Sequence, residues 1–217
     1  MDWRLLEDVP AEEVRQLLSV ARRRSFARNE VVFHRHDPAD SLHLISKGRF
    51  AIRVMSPLGD TVTIGVRGPG DSFGEMAVIV EGADRAATVA ALEEAETFSV
   101  FHADFERLRA QYPAINQALI AFLAGEVRTM NERLLEAFYV PAERRVLRRL
   151  LELATLYAGP AAEVEIPLTQ EAIAELAGTA RATVNRVLRD EEQKGTVELR
   201  RGRVIVPDLE ALRARAR

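Results

Sequence analysis

Residues 170–189 read QEAIAELAGTARATVNRVLR, and this stretch decides the fold of the C-terminal part of the chain. It predicts two helices joined at Gly178, since glycine adopts the left-handed backbone of a tight turn without a Cβ penalty. Ala174 is small where the two helices must cross closely. The apolar side chains predicted to face inward are Ile173, Ala177, Val184, Val187 and Leu188. The pattern therefore predicts a helix-turn-helix, the motif that places its second helix in the major groove of DNA.

The second predicted helix, residues 181–194, carries a polar face opposite its apolar one. At about 100° per residue, one arc of this helix holds Arg181, Ala182, Asn185, Arg186 and Arg189. An arginine guanidinium can donate two hydrogen bonds to a guanine edge, which suits this face to reading DNA. The alternative is an ordinary amphipathic surface helix with a solvated charged face.

Length and composition are those of an ordinary globular protein with room for one large or two small domains. The 217 residues are 47% hydrophobic and 29% charged, and none is cysteine, which excludes disulfides and cysteine-held zinc. The net charge of the chain is −3, but residues 141–217 hold 14 basic and 12 acidic side chains, so this part of the chain is slightly basic. No apolar run approaches the ~20 residues that span a bilayer, and the acidic start lacks the features of a signal peptide. We therefore expect a cytoplasmic protein with no membrane partner.

From residue 26 to about residue 100 the pattern changes to short β-rich runs separated by turns. The runs read VVFHR, SLHLI, RFAIRV, TVTIGV, AATVAA and ETFSVF. Glycine recurs at the turns predicted at residues 47–48, 58–60 and 68–71. A helix is predicted at residues 10–22, ending near three arginines, residues 22–24, that suit the negative end of its dipole. Many short strands at close spacing predict an antiparallel roll or barrel, which serves as a ligand container or as a plain scaffold.

A long uninterrupted helix is predicted for residues 114–138, ending before Pro141. Six of its side chains are spaced 3-4-3-4-3, as in the a/d seam of a coiled coil: Ile120, Leu123, Val127, Met130, Leu134 and Ala137. Leu119 and Phe122 form a second stripe that can pack on the roll, and two stripes imply two partners. We therefore predict a homodimer, with a plain core stripe as the alternative.

Residues 141–217 form a second domain around the helix-turn-helix. RRVLRRLLELATLY, residues 144–157, predicts a helix, and EVEIP, residues 163–167, predicts a short strand. VELRRGRVIV holds two β runs joined at Arg201 and Gly202 and predicts a hairpin. A helix-turn-helix followed by a hairpin is a winged helix.

The order of a β-roll, a long helix and a winged helix resembles the cyclic-AMP receptor protein/FNR family of bacterial transcription regulators, over nearly the whole chain. The resemblance implies an α+β fold in three parts. These are an antiparallel, cyclic-nucleotide-binding-like β-roll (jelly roll) at residues 1–112, a dimerisation helix and hinge at residues 113–140, and a winged helix-turn-helix DNA-binding domain at residues 141–217. It also implies a homodimer on an inverted repeat of double-stranded DNA, with RNA polymerase as a second partner. The chain shows no nucleophile, base and acid in a catalytic pattern, so we expect no enzyme.

The most specific part of the resemblance within the roll is GPGDSFGEMAVIVEGADRAATVAA, residues 68–91. Gly74, Glu75 and Arg85 match the family's phosphate cassette. Arg85 offers a planar fork to a phosphate, Glu75 can accept from a ribose hydroxyl, and backbone N–H groups beyond Gly74, from Met76 onward, can form an anion-binding nest. The alternative is that Glu75 and Arg85 form an intramolecular ion pair that closes the roll.

Two positions depart from the family's pattern for a cyclic nucleotide. Ala86 stands where the family places a phosphate-bonding hydroxyl, and Met130 replaces a serine beside the matching Thr129. The resemblance thus implies a site for cyclic AMP or another cyclic nucleotide, while a different effector or an empty pocket in an effector-independent regulator stays open. The residues implied in effector binding are Gly74, Glu75, Met76, Arg85, Ala86, Thr129 and Met130.

In the second helix of the motif, Arg181 and Arg186 match the family's two base-reading arginines. Ala182 replaces the family's glutamate, so the base pair read at that position should differ, and a thymine methyl could be met instead. Thr179 is a candidate helix cap. The residues implied in DNA binding are Thr169, Gln170, Thr179, Arg181, Ala182, Thr183, Asn185, Arg186, Arg189 and, on the wing, Arg203.

Three rival functions stay open from the sequence. His34 and His36, with Asp40 nearby, place two imidazoles on one face of a predicted strand, as in a metal-dependent cupin. A module that docks to protein rather than DNA is the second rival, and a haem gas sensor of the same family is the third.

Overall fold

The structure is a computed structural model that describes residues 3–56, 59 and 61–216. It divides into two compact units, Met1–Met130 and Asn131–Arg217. Leu58 and Asp60, from the second predicted turn of the roll, lie outside the described residues.

The N-terminal unit is an antiparallel β-roll, which confirms the predicted fold class for this part of the chain. Two four-stranded sheets have the orders β1-β8-β3-β6 and β2-β7-β4-β5. The strands are β1 (Arg22–Phe26), β2 (Val31–Phe33), β3 (Ser41–Lys47), β4 (Phe50–Met55), β5 (Thr61–Arg67), β6 (Ser72–Phe73), β7 (Thr88–Ala91) and β8 (Ala95–Phe101). Gly48 turns β3 into β4 with φ 74°, and a Cβ there would lie 2.6 Å from the Cβ of Ala95, so only glycine fits.

Helices enclose the roll on one side. They are α1 (Ala11–Val20), α2 (His102–Gln111) and α3 (Pro113–Tyr139), with short 3-10 turns at Arg4–Leu6 and Glu75–Val78. One apolar core joins these helices to the first sheet, and it includes Trp3, Leu17, Leu44, Phe105 and Leu119. A second core lies between the sheets and includes Phe26, Ile45, Phe50, Phe73 and Val89. Phe122 packs against the first core, so the predicted second stripe of α3 does pack on the roll.

The three arginines after α1 correct one prediction. They do not close the helix, because α1 ends at Val20 and the arginines form β1, an edge strand paired with β8. The guanidinium of Arg22 lies 4.8 Å from the ring centre of Phe101, and Arg23 forms an ion pair with Glu96. Strand pairing and these cross-strand contacts outweigh the weak attraction of a helix dipole.

The C-terminal unit is a winged helix, as predicted. Its elements are α4 (Ala142–Tyr157), β9 (Val164–Ile166), α5 (Gln170–Ala177), α6 (Arg181–Gln193), β10 (Glu198–Arg200), β11 (Arg203–Val206) and α7 (Leu209–Arg215). The strands form an antiparallel sheet of order β10-β11-β9, and β10 and β11 make the wing. Gly178 has φ 58°, the left-handed conformation that the turn requires.

The last helix was absent from the sequence prediction. Asp208 caps α7 by accepting hydrogen bonds from the backbone N–H groups of Glu210 and Ala211, and Leu212 is fully buried. An aspartate directly before two leucines three positions apart, Leu209 and Leu212, was the available signal. In the part of the chain that the structure describes, no helix combines the length and apolarity needed to cross a membrane.

Candidate DNA interface and effector cavity

The helix-turn-helix presents α6 by burying its apolar face completely. Ile173, Val184 and Leu188 are fully buried, and Ala174 allows the close crossing of α5 and α6. Thr169 starts α5 by accepting a hydrogen bond from the N–H of Ala172 at its Oγ1, over 3.2 Å. These contacts fix the orientation of α6, so the side chains on its other face keep a defined direction.

The exposed face of α6 holds the residues predicted to meet DNA. Arg181, Ala182, Arg186 and Arg189 are exposed, while Thr183 and Asn185 are half-buried. Asn185 donates a hydrogen bond from Nδ2 to Oε1 of Gln170 over 3.0 Å, which joins the two helices on this face. One groove between α6 and the wing is lined by five of the predicted residues, Thr169, Gln170, Arg181, Asn185 and Arg203.

Each key arginine has a carboxylate neighbour at the surface. Arg186 Nη2 lies 2.6 Å from Glu143 Oε1, and this contact lowers the pKa of the Glu143 carboxyl. Arg203 Nη1 lies 2.8 Å from an oxygen of Glu165 on β9. Ion pairs at an exposed surface contribute little to stability, so their exchange for a DNA phosphate or base costs little.

The role predicted for Thr179 as a cap of α6 is wrong. The residue before the first turn of α6 is Ala180, whose methyl group cannot accept a hydrogen bond. Thr179 instead donates its backbone N–H to the carbonyl of Ala174 over 3.0 Å and closes the end of α5. The turn after Gly178 is one residue longer than a cap at Thr179 would require.

Arg145 in α4 is a residue of this region that the sequence reasoning missed. Its Nε donates to the carbonyl of Ala177 over 3.0 Å, and its Nη2 to that of Gly178 over 2.9 Å. Its Nη1 donates to the carbonyl of Val140 over 2.9 Å, directly after α3. Arg145 therefore joins the end of α3 to the turn of the helix-turn-helix. A charged residue in a helix predicts solvent exposure, so the sequence held no signal for this contact.

The N-terminal unit encloses a cavity of about 290 Å³ between the second sheet, the 3-10 turn Glu75–Val78 and α3. This volume lies near the lower end of small-molecule sites. Its apolar lining includes Phe33, Ile52, Val54, Ile64, Phe73, Val89 and Phe122. Its polar lining consists of Arg67, Ser72, Glu75, Arg85 and Glu126. The cavity therefore combines apolar walls with a few polar groups, which is typical of ligand sites.

Six of the seven predicted effector residues line the cavity. They are Gly74, Glu75, Met76, Arg85, Ala86 and Met130. Thr129 is exposed on α3 and does not belong to the lining within this chain. Gly74 has φ 82°, and a Cβ there would lie 2.8 Å from Nη1 of Arg85, so the cassette needs glycine at this position.

Arg85 is 96% buried, with a relative exposure of 4%. Its Nη1 donates to the carbonyl of Ser41 over 2.7 Å, and its Nη2 donates to Oδ1 of Asp40 over 2.8 Å. Phe33 lies against its guanidinium, with 3.9 Å from the central carbon to the ring centre. Burial lowers the pKa of Arg85, and the Asp40 carboxylate opposes that shift. The alternative ion pair with Glu75 is therefore not the one formed, because the carboxylate on Arg85 comes from Asp40.

Two buried polar atoms of the cavity residues have no hydrogen-bond partner among the described residues. They are Nε of Arg85 and Oγ of Ser72. An unsatisfied buried donor costs about 1–3 kcal/mol, so both atoms favour a site that a ligand completes.

The histidines do not form the metal site of the cupin alternative. β2 ends at Phe33, and His36 adopts φ 72° in the following turn, so the two imidazoles do not share a strand face. The Asp40 carboxylate binds Arg85 instead. Within the described ranges, no group of three or more His, Asp or Glu side chains could hold a metal ion.

Comparison with known proteins identifies relatives of both units. Residues 23–112 match the family model of the cyclic nucleotide-binding domain, and residues 144–215 match that of the Crp-like helix-turn-helix domain. The chain is 32% identical over 195 residues to the CRP-like cAMP-activated global transcriptional regulator of Mycobacterium tuberculosis, covering 88% of this chain and 87% of the relative. It is 32% identical over 202 residues to the Cyclic AMP receptor protein of Thermus thermophilus, covering 93% and 91%.

Among solved structures, FixK2 from Bradyrhizobium japonicum has a similar fold, with a TM-score of 0.76. The match covers 90% of this chain and 96% of that one at 21% identity, so it concerns the fold alone.

Proposed function

The chain belongs to the cyclic-AMP receptor protein/FNR family of DNA-binding transcription regulators, and on that premise we propose that it works as a homodimer on an inverted-repeat operator. The observation that carries this proposal is the exposed arginine face of α6 on a fully buried apolar base. Two recognition helices related by a twofold axis would enter successive major grooves on one side of the duplex. RNA polymerase is the partner we propose for the DNA-bound dimer.

Within each half-site, Arg181 and Arg186 read guanines and Arg203 contacts a phosphate from the wing. The side chains of Arg181 and Arg186 are about two-thirds exposed, at 69% and 66%, which supports their availability. Ala182 is exposed between them and carries no acceptor for a cytosine amino group, so a thymine methyl fits this position better. Asn185 and Gln170 offer amide groups on the same face.

The dimer seam that we propose follows α3. Ile120, Val127, Met130 and Leu134 are each more than half exposed in the single chain. Large apolar side chains repeated along one helix face call for a partner, and a second α3 supplies the same spacing. Leu123 differs from the others, since it is half-buried and packs partly against the core of the roll. Ala137 is exposed at the end of the seam.

We propose that the cavity binds a small effector that changes the affinity for DNA, with a cyclic nucleotide as the first candidate. Two observations support this choice. Nε of Arg85 has no partner among the described residues, and the two relatives are a cAMP-activated transcriptional regulator and a Cyclic AMP receptor protein. An effector-independent regulator is the second candidate, favoured by Ala86, which brings no hydroxyl, and by the carboxylate already on Arg85.

Selection of DNA sites from a random pool tests the proposal, using the full chain with and without cyclic AMP. We expect an inverted repeat whose half-site centres lie about 10 base pairs, or a multiple of that, apart. The double variant Arg181→Ala, Arg186→Ala serves as the control and should enrich no repeat. Enrichment of a single half-site would contradict the dimer, and equal enrichment with and without cyclic AMP would favour the effector-independent candidate.

A further inference from the structure

We propose that the Asp40 carboxylate occupies Arg85 as a competitor of anionic effectors and so determines the charge preference of the cavity. This inference deepens the effector part of the proposed function and rests on it. Asp40 lies outside the cassette that the sequence singled out, and no metal or catalytic chemistry is involved.

The terminal donors of Arg85 are already occupied within the chain. Both terminal nitrogens are engaged by groups of the chain itself, since Nη1 meets the Ser41 carbonyl and Nη2 meets both Asp40 and the Ser41 hydroxyl, at 2.8 and 3.1 Å. A phosphate binds arginine best through two parallel hydrogen bonds. A phosphate that uses the unpartnered Nε and Nη2 as its two parallel donors must take the place of the Asp40 carboxylate or of the Ser41 hydroxyl on Nη2.

Asp40 is the exposed member of the pair and Arg85 the buried one. Arg85 is held by the Ser41 carbonyl, the ring of Phe33 and the close backbone of Gly74, and its exposure is 4%. The Asp40 side chain is 64% exposed, although its backbone carbonyl is fixed by the N–H of His102 over 2.9 Å. Turning the carboxylate into solvent breaks its contacts with Arg85 and with the Ser41 hydroxyl, each at 2.8 Å, but it leaves the guanidinium in place.

The Asp40 carboxylate also changes the net charge around the cavity. Two of the four charged residues lining the cavity, Arg67 and Glu126, pair with each other over 2.8 Å. The other two, Arg85 and Glu75, have opposite signs, so the lining is balanced before Asp40 is counted. The Asp40 carboxylate then leaves the site with one net negative charge, which disfavours an anionic ligand. An effector without that charge loses nothing by this arrangement.

The test compares Asp40→Asn with the wild type by titration calorimetry, with cyclic AMP as the anionic probe and adenosine as the neutral one. The amide keeps an acceptor for Arg85 but removes the charge. We expect Asp40→Asn to bind cyclic AMP about tenfold more tightly, which is the effect of 1.4 kcal/mol on an equilibrium constant. Adenosine binding should be unchanged.

Asp37→Asn is the matched control. Its carboxylate also favours the charged form of Arg85 through space, but it accepts from the backbone N–H of His34 over 2.7 Å rather than from Arg85. The affinity of the Asp37→Asn variant for cyclic AMP should stay within about threefold of that of the wild type, since a charge without direct contact is screened by solvent. Asp40→Ser provides a second variant, and thermal unfolding checks that each variant folds.

The outcomes separate this inference from the proposed function. If Asp40→Asn binds cyclic AMP no more tightly than the wild type, including no binding by either, Asp40 only positions Arg85 and the inference is wrong. If the wild type binds cyclic AMP and gains DNA affinity in that case, the proposed function still holds. If Asp40→Asn binds more tightly but cyclic AMP leaves DNA binding unchanged in both proteins, the inference holds and effector gating fails.

Discussion

Arg186 Nη2 and Glu143 Oε1 lie 2.6 Å apart, so a candidate base-reading arginine is held by the first turn of α4 before any DNA is present. Only one of the guanidinium's terminal nitrogens is engaged in this contact. Each parallel pair of guanidinium donors includes Nη2, so a two-bond contact with a guanine must share or replace the contact with Glu143. The pair can thus orient Arg186 for a guanine, at a surface where breaking it costs little.

Replacing Arg186 by alanine should therefore cost specific binding. We expect Arg186→Ala to lose about 1–3 kcal/mol of binding free energy on the preferred operator and to relax preference at one base pair in each half-site. Site selection and fluorescence anisotropy on the selected operator measure the two effects. Arg213→Ala, which removes an exposed arginine from α7, is the control and should change neither. Equal losses of affinity for the operator and for random DNA would mean that Arg186 contacts the DNA backbone rather than a base.

Arg203 on the wing should behave differently from Arg186. Its side chain is 45% exposed beside Glu165, and we assign it to a phosphate rather than a base. Arg203→Ala should weaken binding to all sequences alike and lower the slope of log K against log salt by about one unit. Anisotropy titrations at several salt concentrations give that slope. A changed base preference with an unchanged slope would assign Arg203 to base readout instead.

The sequence predicted those elements whose patterns are local. The turn at Gly178 needs one residue with a left-handed backbone, and the buried face of α6 follows from the helical repeat, so both could be read directly. β1 was not predicted, because a run of arginines indicates only that the segment is exposed to solvent. It does not distinguish an exposed edge strand, which β1 is, from a loop or a helix end. The cap at Thr179 failed by a single residue, within the usual uncertainty of helix ends.

The partner of Arg85 could not be predicted in the same way. Asp40 lies 45 positions earlier in the chain, and only the closure of the roll brings the two together. That closure consists of backbone contacts such as the N–H of Arg85 with the carbonyl of Asp37 over 2.8 Å. The cassette motif places Glu75 close in sequence, which made the wrong ion pair the obvious alternative. A charge pair depends on the tertiary fold, whereas a turn glycine depends on its own backbone.

The proposed dimer seam predicts the effect of a charge on α3. Val127 is 58% exposed in the middle of the seam, and Val127→Glu would place two carboxylates opposite each other in an apolar interface. We expect the variant to be a monomer by light scattering and to lose affinity for the inverted repeat. Arg128→Glu, on the neighbouring exposed position outside the seam, should stay dimeric. An unchanged mass for Val127→Glu would exclude this face of α3 as the interface.

His43 predicts how the roll responds to acid. The imidazole stacks on Phe73 with ring centres 4.9 Å apart, and burial, followed by the charge of Arg85, lowers its pKa to about 3. In the unfolded chain His43 binds a proton near pH 6.5, whereas in the folded roll it stays neutral until about pH 3. Stability therefore falls as the pH drops from 6.5 toward 3. The free energy of unfolding should decrease by about 1 kcal/mol per pH unit in the acid part of this window from His43 alone.

Urea unfolding of wild type and His43→Gln between pH 7 and about pH 5 isolates that contribution. The variant should show a flatter dependence, whereas His34→Gln, at an exposed turn, should match the wild type. Parallel curves for wild type and His43→Gln would mean that His43 is protonated within the folded roll.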